Sequence, residues 1–127
     1  MLKSVLYMSL LLSQMVLASD LTGPLLTGWQ GKSVCEKLSE NADESILRCT
    51  FPPGIGHEKH RHNAHFGYAI SGGKMKIIDK TGTKEVMLST GSYFESPGKS
   101  WHSVVNIGET TVIYLMIESK TPFVDNE

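Results

Sequence analysis

The stretch Gly54-Ile55-Gly56-His57-Glu58-Lys59-His60-Arg61-His62-Asn63-Ala64-His65-Phe66 decides the reading of this chain. In a strand, residues i and i+2 share a face, so His60 and His62 aim two imidazoles at one point. Two imidazoles converging this way begin a metal chelate, and a third donor has to come from elsewhere. One histidine lies outside the stretch: His102, after Gly91-Ser92-Tyr93-Phe94-Glu95-Ser96-Pro97-Gly98-Lys99-Ser100-Trp101. His57 and His65 have the other parity. They point away from the pair on a straight strand and rejoin it only where the chain turns.

Working outward, the chain shows short apolar or alternating runs and no convincing helical period after residue 20. The runs are 34–38, 46–51, 66–70, 75–78, 86–88, 93–94, 102–105 and 111–117. Turn sequences such as Asp79-Lys80-Thr81-Gly82 and Asn106-Ile107-Gly108 separate them. Strands at this spacing predict an all-β sandwich or barrel. Residues 111–117, Thr-Val-Ile-Tyr-Leu-Met-Ile, are apolar on both strand faces. An antiparallel strand with one wet face alternates, so this one calls for cover by the other sheet's rim, the N-terminal segment or a second subunit. A homodimer is the expectation.

The first eighteen residues read as a secretory signal peptide. Lys3 supplies the positive start, the apolar run follows, and Val16-Leu17-Ala18 resembles a cleavage site. The apolar run of residues 5–17 is shorter than the ~20 residues that span a bilayer, which disfavours an anchor. No cysteine at the cleavage point suggests a lipid anchor, and no Arg-Arg pair suggests twin-arginine export. The expected product is secreted or periplasmic, with no membrane attachment after cleavage near Ala18. Residues 19–33 read as an irregular lead-in, 34–119 as one domain, and 120–127 as a tail.

Composition agrees with one ordinary globular domain. Hydrophobic residues make up 40% and charged residues 20% of the 127. The formal net charge is −1, so the basic excess of a nucleic-acid-binding domain is missing. The two cysteines flank a turn at Asn41-Ala42-Asp43. Centring a hairpin on Ala42 sets Cys35 opposite Cys49, where a disulfide is geometrically allowed. The alternative is two buried thiols. Export favours the disulfide, for which loop closure gives roughly 3 kcal/mol.

The spacing of these residues closely resembles that of the cupin superfamily. The first cupin motif is Gly, five residues, His-x-His, three or four residues, Glu, six residues, Gly. This chain has Gly54, then His60-Arg61-His62, then Phe66 in the Glu position, then Gly73. The second motif is Gly, five residues, Pro, one residue, Gly, two residues, His, three residues, Asn. This chain has Gly91, Pro97, Lys99 in place of Gly, His102 and Asn106. The resemblance implies a single-domain jelly-roll antiparallel β-barrel. With Phe66 unable to coordinate, it implies a three-histidine site of His60, His62 and His102. An alternative alignment sets His65 in the Glu position, ends at Gly72 and gives a fourth histidine. Three-histidine cupins include thiol dioxygenases, a diketone-cleaving dioxygenase and gentisate-type ring-cleaving enzymes.

The cofactor expected from this pattern is one divalent metal ion. Imidazole suits Fe, Zn, Cu and Ni, with Mn a weaker binder. A chain exported unfolded meets its metal outside the cytoplasm, which shifts the balance from Fe toward Zn, Cu or Ni. Phe66, Tyr68, Ile70, Val104 and Asn106 share parity with the ligands and are expected to line the pocket. Tyr68 is the expected acid–base partner, its alternative being a buried tyrosine bonded to backbone. Two functions follow for an exported, metal-binding protein whose partner is a small molecule. One is a mononuclear metalloenzyme, an oxygenase or a lyase or isomerase, acting on a small oxygenated or sulfur-containing molecule. The other is a non-catalytic module that binds or senses a metal or small ligand.

Overall fold

A computed structural model describes residues 21–122. The expected signal peptide and the last residues of the expected tail lie outside the described residues. Among those described, every regular element is a strand. None forms a helix long and apolar enough to cross a membrane.

The strands are β1 (Gly28–Trp29), β2 (Lys32–Ser33), β3 (Cys35–Glu40), β4 (Glu44–Phe51), β5 (Gly56–His62), β6 (His65–Ser71), β7 (Gly73–Asp79), β8 (Gly82–Leu88), β9 (Tyr93–Ser96), β10 (Lys99–Asn106) and β11 (Val112–Ser119). One sheet has the order β5-β10-β7-β8 and the other β3-β4-β11-β6-β9. The pairings are antiparallel. Cys35, Leu47, Cys49, Phe51, Met75, Val112 and Met116 form the buried cluster between the two sheets.

The turns follow from their sequences. In the β3–β4 hairpin, Asn41 Oδ1 accepts the backbone N–H of Asp43 at 2.8 Å and of Glu44 at 2.9 Å. In the β7–β8 hairpin, Asp79 Oδ1 accepts from the Thr81 backbone at 2.8 Å, and Gly82 takes φ 128°. The β3–β4 register pairs Cys35 with Cys49, and the two sulfurs are bonded.

One expectation needs correcting. The lead-in is not wholly irregular, because Gln30 and Gly31, with φ 49° and 81°, close a small β1–β2 hairpin. The lead-in also runs beside β5, where the Arg61 N–H donates to the Thr22 carbonyl at 3.0 Å. Its Leu25 packs against the buried cluster, helping to cover one end of the inner space.

The two-faced apolar strand is β11, in the middle of the five-stranded sheet. Its inner face carries Val112, Tyr114, Met116 and Glu118. Its outer face carries Ile113, Leu115 and Ile117, all half-buried, with Tyr68 opposite Leu115 and Phe66 opposite Ile117.

Candidate metal centre

β5 brings its histidines to one face by breaking strict alternation. His102 pairs with His60 and Val104 with His57, so Glu58 and Lys59 of β5 together oppose the single residue Ser103 of β10. This bulge exposes both Glu58 and Lys59 and turns His57 inward beside His60 and His62. All three histidines are buried. The rings of His57 and His60 stack with centroids 3.7 Å apart.

His60 Nε2 lies 2.8 Å from His62 Nε2 and 3.1 Å from His102 Nε2. With metal–nitrogen bonds of about 2.0–2.1 Å, adjacent ligand nitrogens sit about 3.0 Å apart in an octahedron and about 3.3 Å apart in a tetrahedron. The observed separations therefore match three donors around one ion. The proton inventory points the same way. His60 Nδ1 donates to the Glu58 carbonyl at 2.6 Å, and His62 Nδ1 donates to Glu118 Oε2 at 2.8 Å. Both Nε2 atoms therefore face each other as bare lone pairs, an arrangement that a cation relieves. The carboxylate behind His62 is the outer partner that fixes a ligand histidine's tautomer and orientation.

Burial holds the imidazoles of His57, His60 and His62 below the ordinary value, with neighbouring imidazoles adding to it at His60 and His62. The rings stay neutral, the form a metal requires. Burial pushes the Glu118 carboxyl up. Both groups of the His62–Glu118 pair thus resist charge, and the bond between them is that of a neutral imidazole N–H to an oxygen acceptor.

His57 is oriented otherwise. Its Nε2 donates to the Thr27 carbonyl at 2.7 Å, and its Nδ1 lies 4.0 Å from Cys35 Sγ. It supports the His60 ring and offers no nitrogen to the convergence point.

A cavity of about 470 Å³ opens from the histidines between the sheets. Phe51, Met75, Ile77, Val86, Leu88, Val104 and Met116 give it an apolar wall, and the Tyr114 ring also faces it. Only Val104, of the residues expected to line it from the sequence, does so. A turn at Asn63-Ala64 ends β5 and restarts the alternation in β6. His65, Gly67 and Ala69 consequently point inward, while Phe66, Tyr68 and Ile70 point outward. Phe66 stacks on Tyr93 outside the cavity, with ring centroids 5.9 Å apart. Tyr68 and Ile70 are 39% and 44% exposed. Asn106 is buried but faces the β10–β11 turn. Its Nδ2 donates to the carbonyls of Phe51 at 2.8 Å and Thr110 at 2.7 Å, and its Oδ1 accepts from Gly108 N–H at 2.9 Å.

His65 is thus the inward residue of its segment. Its Nδ1 donates to the Asn63 carbonyl at 2.8 Å, and its ring lies 4.6 Å from that of His62. His62, His65 and Glu118 form a second group with donor atoms close enough to share an ion. Sequence reasoning missed Glu118 and Tyr114. Glu118 stands just past an apolar run, and Tyr114 sits inside one.

A family model described as a cupin domain matches residues 47–118. Among solved structures, a cupin domain from Bordetella pertussis Tohama I is 22% identical with a TM-score of 0.65, covering 69% of this chain and 93% of its own. A cupin-like protein from Thermotoga maritima MSB8 is 16% identical with a TM-score of 0.56, covering 68% of each chain. KdgF from a Halomonas species is 18% identical with a TM-score of 0.52, covering 72% of this chain and 87% of its own. No functionally curated protein matches the sequence.

Proposed function

The chain belongs to the cupin superfamily, and on that premise we propose that it holds one divalent metal ion on His60, His62 and His102 and presents it to a small molecule in the adjoining cavity. The observation that carries this reading is the meeting of His60 and His62 Nε2 at 2.8 Å, each already donating its Nδ1 hydrogen elsewhere. A divalent cation on neutral imidazoles acts as a Lewis acid toward a ligand oxygen or sulfur. The protein's own groups do the rest. Glu118 fixes the His62 ring, His57 supports the His60 ring, and the apolar walls exclude water from the bound molecule. His65 stands ready as a further donor on the His62 side. Oxygenase, lyase or isomerase chemistry would run through the same ion and cavity.

Elemental analysis of the purified protein tests the reading. One equivalent of metal is expected. His60→Ala, His62→Ala and His102→Ala should each lose most of it, because two imidazoles make a poor chelate. His57→Ala should keep it. Full metal content in His102→Ala would overturn the three-histidine set. Loss in His65→Ala equal to that in His62→Ala would add His65 to it.

Two accompanying proposals rest on other features. The outer face of β11 and β6, with Phe66, Leu115 and Ile117, supports a homodimer, for which light scattering is the check. The signal-like residues 1–18 and the Cys35–Cys49 disulfide support export, for which N-terminal sequencing of the extracellular product is the check.

A further inference from the structure

The inner face of β11 changes character along its length. Glu118 meets His62, Met116 follows two residues away, and Tyr114 two residues beyond that. Each two-residue step is about 7 Å along a strand, so the cavity passes from a metal-binding end, across an apolar belt, to a phenol within one small molecule's length. The belt is made by Met116 and Phe94, with Gly67 between their strands contributing no side chain. The Tyr114 ring meets Phe94 edge to face, with centroids 6.0 Å apart. Its hydroxyl makes no hydrogen bond to the described residues. A phenol directed into an apolar cavity without a protein partner is a donor set aside for a ligand.

We propose that Tyr114 is a specificity-determining residue, and that the cavity takes a small molecule with a chelating head for the metal, a compact apolar body, and an oxygen acceptor that the Tyr114 hydroxyl reads. This rests on the metal-binding function above and extends it to the class of ligand. Burial pushes the phenol up to about 12, so it stays protonated across the working range and acts as a donor. As a donor it pairs with a carbonyl, ether or carboxylate oxygen on the ligand. A ligand lacking that oxygen leaves the phenol unpaired and is discriminated against.

Hydroxamates, which chelate divalent metals through two oxygens, are suitable probes. Titration calorimetry on the zinc-loaded full chain would compare acetohydroxamate, benzohydroxamate, and benzohydroxamates with an acetyl group at the 3- or 4-position. Benzohydroxamate should bind at least about 10-fold more tightly than acetohydroxamate, through the apolar belt. One acetyl isomer should gain a further ~5-fold or more, through the phenol. Tyr114→Phe should keep its zinc and the benzohydroxamate affinity and lose the acetyl gain. Failure of the wild-type protein to take up zinc would refute the metal reading itself. Zinc uptake without the phenyl gain, or an acetyl gain that survives Tyr114→Phe, would overturn this inference and leave the metal reading standing.

Discussion

Acid should destabilise the metal-free protein steeply, and the burial of three imidazoles sets the size of the effect. His57, His60 and His62 are all held below 6.5 in the folded chain and recover that value on unfolding. A depressed folded value means that the unfolded chain binds more protons below pH 6.5. Stability is therefore complete above 6.5 and falls as the pH drops toward the folded values. Between pH 8 and pH 5.5 His60 and His62, both held far below 6.5, each contribute a loss of about 1.4 kcal/mol, about 3 kcal/mol together, and His57 adds to it in the same direction. Glu118, raised by burial, acts in the opposite sense above pH 4.5 and offsets part of this. With a urea slope of roughly 1–3 kcal/mol/M, the midpoint of the chelator-treated protein should fall by about 1 M or more. The assay is urea unfolding followed by circular dichroism at pH 8, 7, 6 and 5.5. A midpoint that does not move across this range would refute the claim that these rings are buried and neutral. Saturating zinc should raise the midpoint at every pH, least at the acid end, where protons compete for the same nitrogens.

Other substitutions separate the roles assigned above. Glu118→Ala removes the acceptor behind His62 and should weaken metal affinity about 10- to 100-fold, read by competition with a chelating dye; unchanged affinity would refute its role. Replacing both Cys35 and Cys49 with Ala should cost about 3 kcal/mol, the loop-closure value for a separation of 14 residues, and lower Tm by ~10 °C or more. Equal melting of the variant and the oxidised protein would contradict this. Asn106→Ala should lower stability by about 2–4 kcal/mol through three lost hydrogen bonds, with metal content intact in the folded fraction. Loss of metal at full stability would instead return Asn106 to the site.

The legible part of the sequence was its spacing. His60 and His62 two residues apart, and Cys35 and Cys49 equidistant from Ala42, each follow from the alternation of a regular strand or hairpin. The turns at Asn41 and Asp79 were legible because their side chains make the turn's own hydrogen bonds. What escaped was each place where alternation breaks. The bulge at Glu58-Lys59 turned His57 inward, and the turn at Asn63-Ala64 inverted the faces of β6. Parity carried across those breaks assigns Phe66, Tyr68 and Ile70 to the wrong side. The sequence places the expected phenol there, at Tyr68, while Tyr114, whose ring lines the cavity, lies in a run that reads as uniformly apolar.

The inward set of β6 is His65, Gly67 and Ala69, and the outward set is Phe66, Tyr68 and Ile70. Strand patterning for stability alone would do the reverse. A slip of β6 by one residue would turn its large apolar side chains into the space between the sheets and expel His65. Hydrophobic burial therefore does not by itself select the native register. Local fit does. A Cβ at position 67 would collide with the Phe94 ring, and Ala69 is fully buried. Ser71 Oγ also donates to the Thr111 carbonyl at 2.8 Å, fastening the end of the strand. The hollow is kept open by a strand that withholds its bulk from it. In this strand the sequence favours an accessible histidine centre over the most compact core the same residues could form.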